Sequence, residues 1–294
     1  MKIFQENIDK QFEFSQGKNL FHEGIVQKSH FIPDTVNAIG RLSEIDADSE
    51  NVLIDYATNR ALETFCAINQ YYTFDSQSQK TLRELYTGLF SALRNNPSEI
   101  DSIAEWHLTN LKKWLSETNP FAAKLYESKA EIIEPVACSE YSPELQIDIL
   151  QIGTEQVVGP VLDIGCGKQG KLVHFFRGLG IESYGFDRFV QRDQSLAESD
   201  WLTFEYGTEK WGTITSNLGF SNHFNHHHLR NDGSFMAYAK KYMEILHSLK
   251  IGGSFHYAPD LPFIEQYLDN GKYQLTRRDV GAANFRSVKI TRLK

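Results

Sequence analysis

Two acids and three glycines stand at spacings that suit a nucleotide. Asp163 lies in the apolar run Val161-Leu162-Asp163-Ile164, and Gly165, Gly167 and Gly170 follow it. The turn opens what reads as a helix over 171–179. A second apolar segment, 181–186, ends in Asp187. A strand, a glycine turn, a helix, a strand and an acid make up the unit that holds nucleoside-containing cofactors at the carboxyl ends of parallel strands. Glycines admit a close backbone approach, and the second acid accepts hydrogen bonds from ribose hydroxyls.

The spacing Gly165-x-Gly167-x-x-Gly170 also fits a dinucleotide fingerprint, so the glycines leave the cofactor open. Asp163 argues against NAD. A pyrophosphate sits against the helix N-terminus, and a carboxylate at the strand end is a poor neighbour for it. S-adenosylmethionine has no phosphate, and its ammonium and sulfonium suit a carboxylate. Asp187 serves either cofactor.

Residues 158–294 resemble a class I S-adenosylmethionine-dependent methyltransferase. Val161-Leu162-Asp163-Ile164-Gly165-Cys166-Gly167 resembles the family's first motif, and Tyr184-Gly185-Phe186-Asp187 its second strand and ribose-binding acid. Ser199-Asp200-Trp201 is similar to its adenine-binding segment, and Leu249-Lys250-Ile251-Gly252-Gly253-Ser254-Phe255 to the turn into its fifth strand. One position departs: Gln169 stands where a third glycine is common. The resemblance implies S-adenosylmethionine as cofactor, held by Asp163, Gly165, Cys166, Gly167, Asp187, Arg188, Asp200, Trp201 and Asn217. Asp163 and Asp187 also have plain readings as a turn cap and a loop acid, Trp201 as core, and Cys166 as a small turn residue.

In the family the segment after the fourth strand faces the transferred methyl. Here it is Ser216-Asn217-Leu218-Gly219-Phe220-Ser221-Asn222-His223, followed by Phe224-Asn225 and then His226-His227-His228. Methyl transfer is an in-line displacement that needs alignment and, for a hydroxyl or ammonium acceptor, a base. His223 is the candidate catalytic base; the bland alternative is a pocket-shaping histidine. Adjacent histidines point in different directions and lack a carboxylate at ligand spacing, so no metal is expected at 226–228. His256, Tyr257 and Pro259-Asp260-Leu261-Pro262 are further candidates for the acceptor's border.

The elements that position these groups fall into two halves. Residues 1–48 are mixed, with Phe12, Phe14, Leu20, Phe21 and Phe31 as scattered apolar anchors of short helices or an arm, and from about residue 51 to 140 the periodicity is helical. Leu82, Leu85, Tyr86, Leu89, Phe90 and Leu93 share one face. Asn96-Pro97-Ser98-Glu99 reads as a helix start carrying Ile100, Ile103, Trp106, Leu111, Trp114 and Leu115. Helices are also expected over 51–72, 121–132 and from Ser142 to about 153. Such stripes mean core, although Tyr71, Tyr72 and Tyr141 are possible pocket residues. After Pro160, strand-like runs alternate with helices. Strands are expected at 161–164, 183–186, near 202–204, 213–216 and 254–257. Gly252-Gly253 would close the helix before the last of these. A further helix over 260–268 precedes a hairpin, 273–280 with 285–293, joined by Gly281-Ala282-Ala283-Asn284. The expected class is therefore α/β: a Rossmann-like seven-stranded methyltransferase fold with an antiparallel C-terminal hairpin (141–294), preceded by an all-helical, acceptor-selecting or lid domain (1–140).

Composition bounds the partners. The 294 residues are 41% apolar and 23% charged, with a formal net charge of −8. Acidity disfavours nucleic acid and, with abundant aromatics, favours a small-molecule acceptor; a peptide or protein acceptor stays open. Cys66, Cys138 and Cys166 form no spaced pair, which suits a reducing compartment. The N-terminus has no signal-peptide core and no stretch is long enough to span a bilayer, so a cytoplasmic protein is expected. The other classes in view are a non-catalytic S-adenosylmethionine binder and an NAD-dependent oxidoreductase. Composition leaves the oligomeric state unassigned.

Overall fold

Short polar side chains start the main helices by accepting the backbone N–H groups that a first turn leaves bare. Asp46 accepts from the Ser49 amide and Asp75 from the Ser78 amide, each at 2.7 Å; Ser142 accepts from the Leu145 amide at 3.3 Å. The structure is a computed structural model that describes residues 1–25, 30–127, 131–133, 141–231, 233–281 and 285–294. Cys138 and the turn residues 282–284 lie outside them. The chain divides by contacts into two units, 1–138 and 139–294.

The regular secondary structure among the described residues of the first unit is helical apart from an isolated Lys18–Ile132 bridge. In order they are α1 (Lys2–Ser15), α2 (Pro33–Ile39), α3 (Ala47–Ile68), α4 (Ser76–Asn95), α5 (Ile100–Thr118) and α6 (Phe121–Tyr126). The face predicted for α4 is buried at Leu82, Tyr86, Leu89, Phe90 and Leu93. Tyr72 is buried, its ring 5.5 Å from Phe121 and edge-on to Phe65. Three boundaries differ from expectation. Helix α3 begins at Ala47, because Asp46 caps it. Asn96-Pro97-Ser98-Glu99 is a turn: the Asn96 amide closes α4 on Ala92 O, the Glu99 amide bonds Asn96 O, and α5 starts at Ile100. Helix α6 ends at Tyr126.

The second unit runs α7 (Pro143–Leu150), β1 (Val161–Ile164), α8 (Lys171–Gly178), β2 (Ser183–Asp187), β3 (Leu196–Glu198), β4 (Trp211–Asn217), α9 (Phe220–His228), α10 (Phe235–Ser248), β5 (Leu249–Ala258), α11 (Pro262–Glu265), β6 (Tyr273–Asp279) and β7 (Arg286–Arg292). The seven strands form one sheet in the order β3-β2-β1-β4-β5-β7-β6. Pairing is parallel from β3 to β5, and β7 is antiparallel to both its neighbours. This is the expected seven-stranded fold with its reversed C-terminal strand. Strand order reverses direction at β1, between β2 and β4, the switch point where open α/β sheets place ligands.

The core on one face of the sheet is strongly aromatic. Ile164, Ile214, Phe224, Tyr242, Phe255 and Leu261 have no exposed surface. Each such side chain contributes about 1.5–3 kcal/mol by leaving water. Two expectations fail here. Residues 202–204 are not a strand; Leu196–Glu198 takes that edge, pairing with Gly185–Asp187. Asp200 instead folds back on the Leu202 amide at 2.8 Å, and Phe204 stacks on Phe186 at 4.0 Å. Gly252-Gly253 does not end α10. That helix stops at Ser248, and the glycines lie inside β5, where register with β4 shifts. A Cβ at Gly253 would meet the carbonyls of Gly212 and Lys250 at 2.9 Å. Helix α11 is a single turn, shorter than the helix expected over 260–268.

Candidate functional site

The carboxyl ends of β1, β2 and β4 gather the polar residues singled out above. Register pairs Asp163 with Gly185 and Thr215. Side chains alternate along a strand, so Asp163, Asp187, Thr215 and Asn217 share one face. It is the α8 face, since a Cβ at Gly185 would strike Val173.

Asp163 is 1% exposed. Its Oδ1 accepts from the Thr215 hydroxyl at 2.7 Å, and its Oδ2 has no partner among the described residues. Burial, and secondarily the charge of Asp187, push its pKa up to about 7 against the pull of the Thr215 hydrogen bond. Two strand positions away on the neighbouring strand, both amide atoms of Asn217 are buried without partners among the described residues. Buried polar atoms are rarely left so, and each one costs desolvation free energy. Leu218, which follows, has φ of +56°, an uncommon conformation for a branched side chain. Its amide bonds Ala258 O, which holds the turn in place.

The glycine turn lies beside these groups. The amides of Gly165 and Cys166 bond Phe186 O. Asp187 accepts from the Gly167 amide through Oδ2 and from the Phe189 amide through Oδ1, both at 3.2 Å. Each oxygen keeps a lone pair for a further donor. Gly170 carries the left-handed φ of +58° at the start of α8, and a Cβ there would meet Leu196 at 2.5 Å. Gln169 needs no such conformation, which explains why a side chain is accepted where the resemblance calls for glycine. Cys166 is buried with Val173, Val190 and Leu196, as a small packing residue would be.

Trp201 belongs to the opposite face. It is 7% exposed and its Nε1 donates to the Tyr238 hydroxyl at 3.1 Å. The ring lies over the first glycine, since a Cβ at Gly165 would come within 3.5 Å of its Cζ3. Arg188 stands 5.8 Å from the same ring. Asp200, half-buried, anchors the turn that follows it by accepting from the Leu202 amide.

His223 lies on α9, not on a loop, and is 2% exposed, edge-on to Trp201 at 4.7 Å. Burial, then the Arg188 guanidinium and the neighbouring histidines, hold its pKa well below 6.5, so the ring is neutral. The three following histidines diverge. His226 Nε2 faces the Arg230 guanidinium at 3.1 Å, His227 Nδ1 accepts from the Ser234 amide, and His228 stacks on Phe263. Among the described residues no group of three His, Cys, Asp or Glu side chains could hold a metal.

Sequence reasoning did not single out Thr215 as the partner of Asp163, nor Tyr238. The first lies inside β4, three residues before the turn residue Leu218, and its alignment with Asp163 follows from strand register alone. His256 is buried, within 3.0 Å of Ser254 Oγ and facing Leu150 O, away from the glycine turn. Tyr257 is buried against Tyr242 and Glu265.

No protein-family model matches the chain, and no curated protein matches it. Solved structures do. A TehB-like SAM-dependent methyltransferase from Corynebacterium glutamicum is 14% identical over 49% of this chain and 87% of its own, with a TM-score of 0.35. TrmN from Thermus thermophilus is 16% identical over 53% of this chain and 50% of its own, at 0.37. An S-adenosylmethionine-dependent methyltransferase described for Listeria monocytogenes is 12% identical over 48% and 96%, at 0.33. At these scores the likenesses carry no argument, and it is the strand order that establishes the fold of residues 139–294.

Proposed function

We propose that residues 139–294 bind S-adenosylmethionine and that the protein transfers its methyl group to the oxygen or nitrogen of a small-molecule acceptor. One observation carries the reading: Asp163 Oδ2 and the Asn217 amide are buried and unpartnered on one face of the switch point, beside a glycine turn. A cationic ammonium suits the first and a carboxylate or amine the second, whereas a pyrophosphate would be repelled by Asp163. Asp187 would hold the ribose with its spare lone pairs, and Asp200, Trp201 and Arg188 would border the adenine side.

The cofactor supplies a methyl already activated by the sulfonium. The chain's contribution is then alignment and exclusion of water. Asp163, once ionised by a cationic partner, fixes one end. His223 is the proposed base, although burial and the Arg188 guanidinium hold its pKa well below 6.5 and so weaken its hold on a proton. Its enclosure beneath Trp201 supports instead a second reading, a non-catalytic S-adenosylmethionine binder.

Calorimetric titration with S-adenosylhomocysteine and NAD tests the cofactor; NAD binding with no response to S-adenosylhomocysteine overturns the proposal. A gain of one methyl on a metabolite from a cell extract separates the enzyme from the binder. His223→Gln should lower turnover while leaving cofactor affinity within about twofold; unchanged turnover removes His223 as the base.

A further inference from the structure

The first unit contains a hollow that its helices do not fill. It has a volume of about 200 Å³ and lies among α1, α2, α3, α4 and α5. A water needs about 10–15 Å³ on this measure, so the hollow has room for roughly a dozen non-hydrogen atoms. Its floor is made by α3, where Leu53, Ala57 and Ala61 recur every four residues and the two alanines leave the space. Its cover is α1, whose Phe4, Ile8 and Phe12 recur at the same spacing toward the hollow. None of the residues of α1 is fully buried, although this stripe is apolar. A core helix with such a stripe is normally sealed onto its neighbours. Here it stands over space, which forfeits dispersion contacts on both walls.

Two polar atoms in the same walls have no partner among the described residues: Nδ1 of His107 and Oγ1 of Thr35. His107 is 7% exposed, with its ring 5.0 Å from that of Tyr86. Burial lowers its pKa to about 4, so it offers a neutral hydrogen-bonding ring. Among the described residues no acid lines the hollow. Lys18, which does, is partly exposed and rests over the Phe14 ring at 3.8 Å.

We propose that this hollow is a binding site for an uncharged, mainly apolar small molecule that carries one hydroxyl or carbonyl for His107. The apolar walls provide affinity and the buried nitrogen selects the polar group, as in small-molecule sites generally. A charged group would lose its hydration here without a buried counter-charge.

The test uses the full chain and the neutral fluorophore 1-aminonaphthalene, whose size suits a space for roughly a dozen non-hydrogen atoms. Saturable, blue-shifted binding is expected, displaced by 1-decanol at least fivefold more effectively than by decane or decanoate. Ala57→Phe, which fills the floor, should weaken the fluorophore at least tenfold with the helical circular-dichroism signal retained. If that variant does not fold, Ala61→Leu replaces it with the same expectation. His107→Leu should bring decanol down to the affinity of decane while leaving the fluorophore bound. Absence of saturable binding, or full binding by the filled variants, overturns the site. Decanoate displacing better than decanol, or decanol unaffected by His107→Leu, overturns the assignment of a neutral ligand held by His107.

Discussion

Asp163 and Glu265 are both buried carboxylates of the sheet unit, and they are treated in opposite ways. Glu265 is enclosed at the corner between α11 and β6. Its Oε1 accepts from the Tyr257 hydroxyl and the Leu261 amide, and its Oε2 takes two donors from the Arg277 guanidinium. Tyr242 extends the network through Tyr257 at 3.0 Å. Asp163 has one hydroxyl on one oxygen and nothing on the other. A carboxylate whose lone pairs are met inside the fold is structural, because its desolvation is already offset. One left half-met, at a sheet's switch point, is the arrangement on which the proposed cofactor site rests.

The difference breaks most visibly at Glu265. The Glu265 side chain is fully buried but that of Arg277 is 31% exposed, so removing the carboxylate chiefly leaves the Tyr257 hydroxyl and the Leu261 amide without an acceptor, at about 1–3 kcal/mol each. Glu265→Ala should therefore lower the free energy of unfolding by that order in denaturant titration. A loss under about 1 kcal/mol would mean that these groups find water and that the corner is not structural.

Asp163→Asn should do the reverse. Its fold should be retained, since the Thr215 hydrogen bond survives the change. Affinity for S-adenosylhomocysteine should fall about 10–100-fold, the equivalent of a charge-assisted hydrogen bond of about 1.5–3 kcal/mol. Equal affinity in calorimetry would return Asp163 to a purely structural role.

Wild type and Asp163→Asn should also differ in their response to pH. Asp163 keeps its proton in the folded chain to about pH 7, whereas its ordinary pKa is 3.8. The folded state binds more protons in that interval. The stability this contributes is complete below about pH 4 and is lost as the pH rises to 7, at up to about 1.4 kcal/mol per unit. His256, whose pKa is lowered to about 4 by burial, acts in the opposite sense over pH 4–6.5. It is present in wild type and in Asp163→Asn and cancels between them. The difference between the two unfolding free energies should therefore change between about pH 4 and 7; parallel curves across that interval would show that Asp163 is ionised throughout it.

The smallest expected effect is at Asn217. Asn217→Ala removes two unsatisfied polar atoms, so stability should change by less than about 1 kcal/mol or rise slightly. S-adenosylhomocysteine affinity should fall about fivefold, the equivalent of one neutral hydrogen bond. An unchanged affinity confines the site to the β1–β2 side.

Much of the sheet unit is legible before any coordinates. Asp163, the glycines and Asp187 are close in the chain, and turn geometry binds residue type to position over a few residues. The edge strand is the exception. Leu196-Ala197-Glu198 is short and has one buried side chain, so it lacks the periodicity that identifies a strand. Phe204, with a stronger apolar signal, is spent on stacking against Phe186. Gly252-Gly253 misleads for a related reason: glycines that end a helix and glycines that bulge a strand look the same until a neighbouring strand is placed beside them.

The sequence alone determined the local chemistry: a helical half, a sheet half, a nucleotide-type turn and the acids that flank it. Those features depend on neighbours within one turn or one strand. The tertiary structure decided which acid is satisfied and which is not. Thr215 meets Asp163 across 52 residues by strand register, and Glu265 gains Arg277 through the return of β6. It also decided that His223 lies under Trp201, and that two alanines of α3 face a hollow and not a neighbour. Partnership and vacancy are properties of the space between elements, and no spacing along one element records them.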